Sequence, residues 1–163
     1  MNVSKLGPWL RDDWRWLIAS VLAIHFVLAS LYSVATPIWE GPDELGHYRH
    51  VRFLISNLTL PQPEDSTSSL DQLTHPPLYY AITGLLTSWV NTSDELKPVR
   101  NPFAPTGTLE GGANQFVHSD AEAFPYRGTV LAVHAARLVS ALLGTLVVLV
   151  TYHLGRLLFP HKH

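Results

Sequence analysis

The chain contains no cysteine, which excludes a disulfide framework and any thiolate-ligated metal centre. It has no internal repeat and no low-complexity tract, so solenoid and linker architectures are set aside. No phosphate-cradling Gly-rich loop, no Ser/His/Asp order and no basic stripe for nucleic acid is present. The formal net charge of -2 is uninformative as a sum, because the charges are segregated by region. Its 163 residues would suffice for one ordinary soluble domain, but the apolar residues are too unevenly distributed for that.

They gather in two long runs, Trp14 to Trp39 and Val130 to Phe159, with a Pro-, Gly- and acid-rich stretch between. About 20 apolar residues cross the hydrocarbon core of a bilayer, so each run is long enough to span. Trp9, Trp14 and Trp16 at one end of the first run and Trp39 at the other suit an aromatic belt. The run exceeds a usual signal-peptide core and no small-x-small cleavage site follows it, so it is read as an uncleaved span. His25 in mid-span is read as a neutral histidine bonded within a helix bundle. Lys5, Arg11 and Arg15 precede the first run and no cation follows it until Arg49, which places the N-terminus in the cytoplasm and the next segment outside.

The expected fold is therefore all-α and membrane-embedded: two transmembrane helices flanking an outer loop with two short interfacial helices. Residues 1–13 form a cytoplasmic N-terminus and 14–39 the first transmembrane helix. The outer loop runs over 40–128, a long helix that includes the second span over 129–159, and a cytoplasmic tail over 160–163. In the long helix residues 138–158 span, while 129–137 project beyond the outer surface. That leaves Arg137 at the outer interface, as a snorkelling anchor or as a contact to a lipid phosphate.

Within the loop, one helix is expected near 42–57. Pro42 suits a first helical position, and Asp43 and Glu44 suit the positive end of the helix dipole. Leu45, Tyr48, Val51, Ile55 and Leu58 recur at helical spacing, and Asp43, His47 and His50 share another face. The second short helix is expected near 76–90, opened by Pro76 and Pro77 and too short to cross a bilayer. Residues 57–69 and 91–128 read as loops. Asn57-Leu58-Thr59 and Asn91-Thr92-Ser93 match the glycosylation sequon, a pattern common by chance.

The stretch from Pro37 to His50 organises the rest, because Glu40, Asp43 and Glu44 lie with His47 and His50 at a membrane edge, where acids are costly to desolvate. Three chemistries fit these residues. A carboxylate can activate an incoming hydroxyl or amine as general base. Asp43 with His47 or His50 can bind a divalent cation. The charges can also simply cap a helix and face water.

The order and spacing of several motifs carry a family resemblance. A first apolar run ends in Pro37-Ile38-Trp39-Glu40-Gly41-Pro42-Asp43-Glu44. It is followed by His47-Tyr48, by Val51-Arg52-Phe53-Leu54 and by His75-Pro76-Pro77-Leu78-Tyr79-Tyr80. The closing Arg137-Leu138-Val139-Ser140 and the stretch from Tyr152 to Pro160 follow in turn. Together they resemble the start of a GT-C membrane glycosyltransferase, specifically the bacterial relatives of the dolichyl-phosphate-mannose protein mannosyltransferases and the lipid A aminoarabinose transferase. The resemblance implies a polyprenyl-phosphate sugar donor, an acceptor met at the outer face of the bacterial plasma membrane, and an acidic pair at the active site. Carried over, Asp43 is the catalytic carboxylate and Glu44 its partner, with His47, His75 and Arg137 on the substrate side. Metal dependence varies in the family, so no ion is assigned. GT-C enzymes have many more transmembrane helices than two. The expectation is thus an N-terminal portion, inactive alone, that needs further helices or another subunit. The competing reading is a non-catalytic two-span protein whose acidic outer domain binds a partner.

Overall fold

The computed structural model describes residues 9–62, 75–94, 96–104 and 114–159. The expected polar N-terminus (1–8), the acidic part of the first loop (63–74), part of the Pro- and Gly-rich stretch (105–113) and the tail (160–163) lie outside the described residues.

Among the described residues four α-helices follow in order, α1 (Trp9–Ala35), α2 (Glu44–Asn57), α3 (Leu78–Thr87) and α4 (Gly128–Leu158), with a 3-10 turn at Asp120–Glu122. Among the described residues the one sheet-like feature is an antiparallel bridge between Arg100 and Phe116. The all-α class expected from the sequence is what the chain adopts. Two helices, over Trp14–Ala35 and Gly128–Leu158, are long and apolar enough to cross a membrane.

The expected first span ran to Trp39, but α1 ends at Ala35. Proline disfavours helical geometry in the residue before it and lacks an N–H, so Pro37 stops the helix here. The chain then turns sharply through residues 36–43, with Trp39 at φ 71 and Asp43 at φ 54. Left-handed backbone is rare for a residue with a Cβ, and for a bulky side chain such as Trp39 it is a true outlier.

The chain divides into two compact units, residues 1–33 with 140–163 and residues 34–139. In the first, His25 lies against Gly144. Large apolar side chains on both helices, Trp16, Tyr32 and Leu157 among them, are exposed.

The second unit has a core of Ile38, Trp39, Val130 and Val133, packed against Leu45, Tyr48, Leu96, Phe116 and Tyr126. Each such burial is worth about 1.5–3 kcal/mol relative to exposure, so these contacts fix the strained turn against the first part of α4. The apolar face predicted for α2 supplies Leu45, Tyr48 and the buried Val51. On α3, Gly84 lets α2 come close: a Cβ there would meet Ile55 Cγ1 at 2.8 Å. The expected helix near 42–57 begins two residues later than Pro42, with Asp43 as the N-cap residue rather than inside the first turn.

The N-terminus of α4 is held by Asp94. Its carboxylate accepts from the Thr129 backbone N–H at 3.0 Å and from the Thr129 hydroxyl at 2.8 Å. This satisfies a donor that the first helical turn leaves open. Gly128 sits at φ 53 directly under that carboxylate, where a Cβ would collide with Asp94.

Candidate functional site

The acidic segment and the two short helices meet in the second unit, where the site residues expected from the sequence fall into two groups. In the first, Glu44 is engaged by Arg137. The guanidinium donates from Nε to Glu44 Oε1 and from Nη2 to Oε2 at 2.8 Å. Glu44 Oε2 also accepts from the Trp39 backbone N–H at 2.7 Å. Arg137 reaches further, donating to the carbonyls of Thr36 at 2.6 Å and Pro37 at 2.9 Å. Neither side chain is more than 16% exposed, so the two-point pair is shielded from water. Both partners hold the strained turn in place with the donors and acceptors they have.

The second group is centred on Tyr80, a buried side chain of α3. Its hydroxyl lies 2.8 Å from His47 Nδ1 on α2 and 2.9 Å from His75 Nδ1. The ring of His50 stacks on Tyr80 at 3.9 Å between centroids, with 10° between planes. The shared face predicted for His47 and His50 is therefore real, and Tyr80 is what it meets. A phenol has one O–H to donate. With both imidazoles neutral, Tyr80 donates to one Nδ1 and accepts an N–H from the other. The two rings are then opposite tautomers, with an acceptor Nε2 on one and a donor Nε2 on the other.

Burial holds the His47 pKa below the usual histidine range, and the neighbouring charge of His75 adds to this, against the attraction of Asp43 and Glu44. Burial likewise pushes the Tyr80 phenol up, with Tyr79 adding to it. His47 and the Tyr80 phenol are thus both biased toward their neutral forms. Asp43 stands one turn before His47. It is exposed and its side chain makes no capping hydrogen bond. Of the two carboxylates at the start of α2, Glu44 is occupied and Asp43 faces outward beside the histidines.

A third cluster was not anticipated. Glu40 accepts from the backbone N–H groups of Gln115 and Phe116, each at 2.9 Å, and from His118 Nε2 at 3.0 Å. His118 Nδ1 donates in turn to Glu122 at 2.8 Å. Burial alone would raise the Glu40 pKa, but the two backbone bonds and His118 outweigh it and hold it low. For His118 burial works against the charged form, and the hydrogen bonds to Glu40 and Glu122 win and raise its pKa. This is an imidazolium clamped between two carboxylates, and it ties the segment around Phe116 to the acidic turn.

Among the described residues no group of three or more His, Cys, Asp or Glu side chains is placed to hold a metal ion. Comparison with family models, with curated proteins and with solved structures finds no match to this chain.

Proposed function

We propose that this chain is the N-terminal, loop-bearing portion of an integral-membrane glycosyltransferase of the GT-C type, acting on a polyprenyl-phosphate sugar at the outer face of the membrane. The observation that carries this reading is the division of labour at the start of α2. Glu44 is consumed by Arg137, while Asp43 is exposed beside the His47–Tyr80–His75 cluster. Two helices long and apolar enough to cross a bilayer, with apolar side chains left exposed along them, support the membrane setting.

In this reading Asp43 accepts the proton of the acceptor hydroxyl as its oxygen bonds to the anomeric carbon. The bond from that carbon to the phosphate oxygen breaks, and the electron pair leaves on the polyprenyl phosphate. His47 and His75 orient the polar groups of the sugar. Water exclusion and positioning contribute roughly 7–11 kcal/mol in favourable cases, so further helices are required around this loop, and the chain alone is expected to be inactive.

The test is Asp43→Asn in the complete membrane-embedded transferase, assayed with a polyprenyl-phosphate sugar donor. Transfer is expected to fall by at least 100-fold, the lower range for loss of a general base, with insertion and expression unchanged. Near-normal transfer in that variant removes Asp43 from the role.

A further inference from the structure

The opposite side of α2 carries a second feature that the transfer chemistry does not use. Arg49 and Arg52 lie roughly 140–160° around the helix from His47, by the 3.6-residue repeat. Both line an open cavity of about 780 Å³, and Lys97 joins them from the segment after Asp94. None of these cations makes an ion pair among the described residues, and no carboxylate is found among the described lining residues. Like charges three residues apart on a helix repel each other, and the one carboxylate near this wall, Asp94, is engaged by Thr129 at the start of α4. An anion in the cavity would relieve that repulsion.

The remaining lining narrows the class of anion. Thr92 and Ser93 add hydroxyl groups to the rim, while Trp39 and Tyr48 supply aromatic wall. A carboxylate has two oxygens, which a single arginine fork satisfies. Two guanidinium groups, one ammonium and several hydroxyls offer more donors than that, and they match the three terminal oxygens of a phosphate ester. The aromatic wall fits the organic part of such a molecule, and the volume lies in the range of small-molecule sites. We propose that the cavity lined by Arg49, Arg52 and Lys97 is a phosphate-ester binding site, separate from the Asp43 face.

The headgroup of a membrane lipid and a water-soluble phosphate ester share this chemistry. The full chain in neutral maltoside micelles would be titrated calorimetrically with glycerol 3-phosphate, and separately with phosphatidylglycerol doped into the micelle. Saturable binding of either probe is expected, weaker by at least about tenfold in R49Q/R52Q, since a single lost charge-assisted contact already produces an effect of that size. Binding should be unchanged in Arg100→Gln, whose guanidinium lies over the Phe116 ring instead. Saturation by glycerol 3-phosphate identifies a soluble ester as sufficient; saturation by the lipid alone identifies a headgroup held with its chains. Should the double variant lose its helical circular dichroism, Lys97→Ala, in a segment outside the helices, is read in its place with an expected loss of about threefold. Absence of saturable binding by both probes overturns the proposal, as does unaltered affinity in the folded pocket variants. Because the readout is binding, its failure is distinguishable from failure of the transfer reading.

Discussion

Arg137 and Glu44, 93 residues apart, form a two-point ion pair in which the same guanidinium also caps the carbonyls of Thr36 and Pro37. One side chain of α4 thereby fixes the residues that end α1 and the residue that begins α2. Removing one partner of a water-shielded pair leaves the other charge uncompensated and costs about 3 kcal/mol. Glu44→Gln and Arg137→Ala are each expected to lower the thermal unfolding midpoint by several degrees. Arg137→Lys should recover little, since an ammonium cannot form the fork or reach both carbonyls at once. Melting of the three variants by circular dichroism would check this, and a lysine variant as stable as wild type would remove the fork geometry from the account.

The clamp at His118 makes a signed prediction for pH. Its pKa is raised in the folded chain, so its contribution is fully present below the unfolded histidine value of about 6.5 and is lost as pH rises through the folded value. Glu40 is held low, so its contribution is present above the ordinary glutamate value of 4.5 and is lost as pH falls through its depressed folded value. His47 has the opposite sign to His118: its depressed pKa means that protonation favours the unfolded chain, and stability falls as pH drops below about 6.5. His118→Gln should therefore flatten the alkaline side of a stability profile taken from pH 5 to 9, and His47→Gln the acid side. Unchanged alkaline slopes in His118→Gln would contradict the clamp.

How much of this was legible beforehand depends on the range of the interaction. The helices were readable because apolar spacing, Pro37 and the short apolar run after Pro77 are local signals, and the pairing of His47 with His50 on one face follows from helical period alone. The partner of that face was not legible. Tyr80 stood in view within His75-Pro76-Pro77-Leu78-Tyr79-Tyr80, but only the approach of α3 to α2 decides which tyrosine points at the histidines. The sequence places Arg137 at the outer interface as an anchor or a phosphate contact, and its distance from Glu44 hides the pair between them. The Glu40–His118 clamp and the Asp94 cap span gaps of 78 and 35 residues and leave no local trace. Helical spacing puts the exposed Asp43 inside the first turn, whereas its left-handed φ of 54 leaves it just outside the helix as the N-cap residue.

Gly128 and Asp94 supply a pair of substitutions with different causes. Asp94→Ala removes the cap of α4 and should cost about 1 kcal/mol. Gly128→Ala adds left-handed strain of about 1 kcal/mol or more and drives a Cβ into the same carboxylate. Combined, the two should cost less than their sum, because deleting the carboxylate opens the space the methyl needs. A double-mutant cycle on unfolding free energies measures that coupling, and strict additivity would show that the clash plays no part.

Tyr80→Phe isolates the hydroxyl shared by His47 and His75. The ring is kept, so stacking on His50 survives and the stability loss should stay near 1 kcal/mol, the net worth of an ordinary hydrogen bond. What changes is the proton order. In the wild-type chain one imidazole must receive the phenol proton at Nδ1 and the other must give its own, so nitrogen-15 spectra of the two rings are expected to report opposite, fixed tautomers. In the Phe variant both rings lose that instruction and their spectra should converge. The His47 pKa should remain low in Tyr80→Phe, because burial is its main cause, and should rise in His75→Gln, where the repelling neighbour is gone. Identical tautomer spectra in wild type and Tyr80→Phe would mean that the hydroxyl does not order the pair. The two histidines would then have to be treated as independent groups beside Asp43.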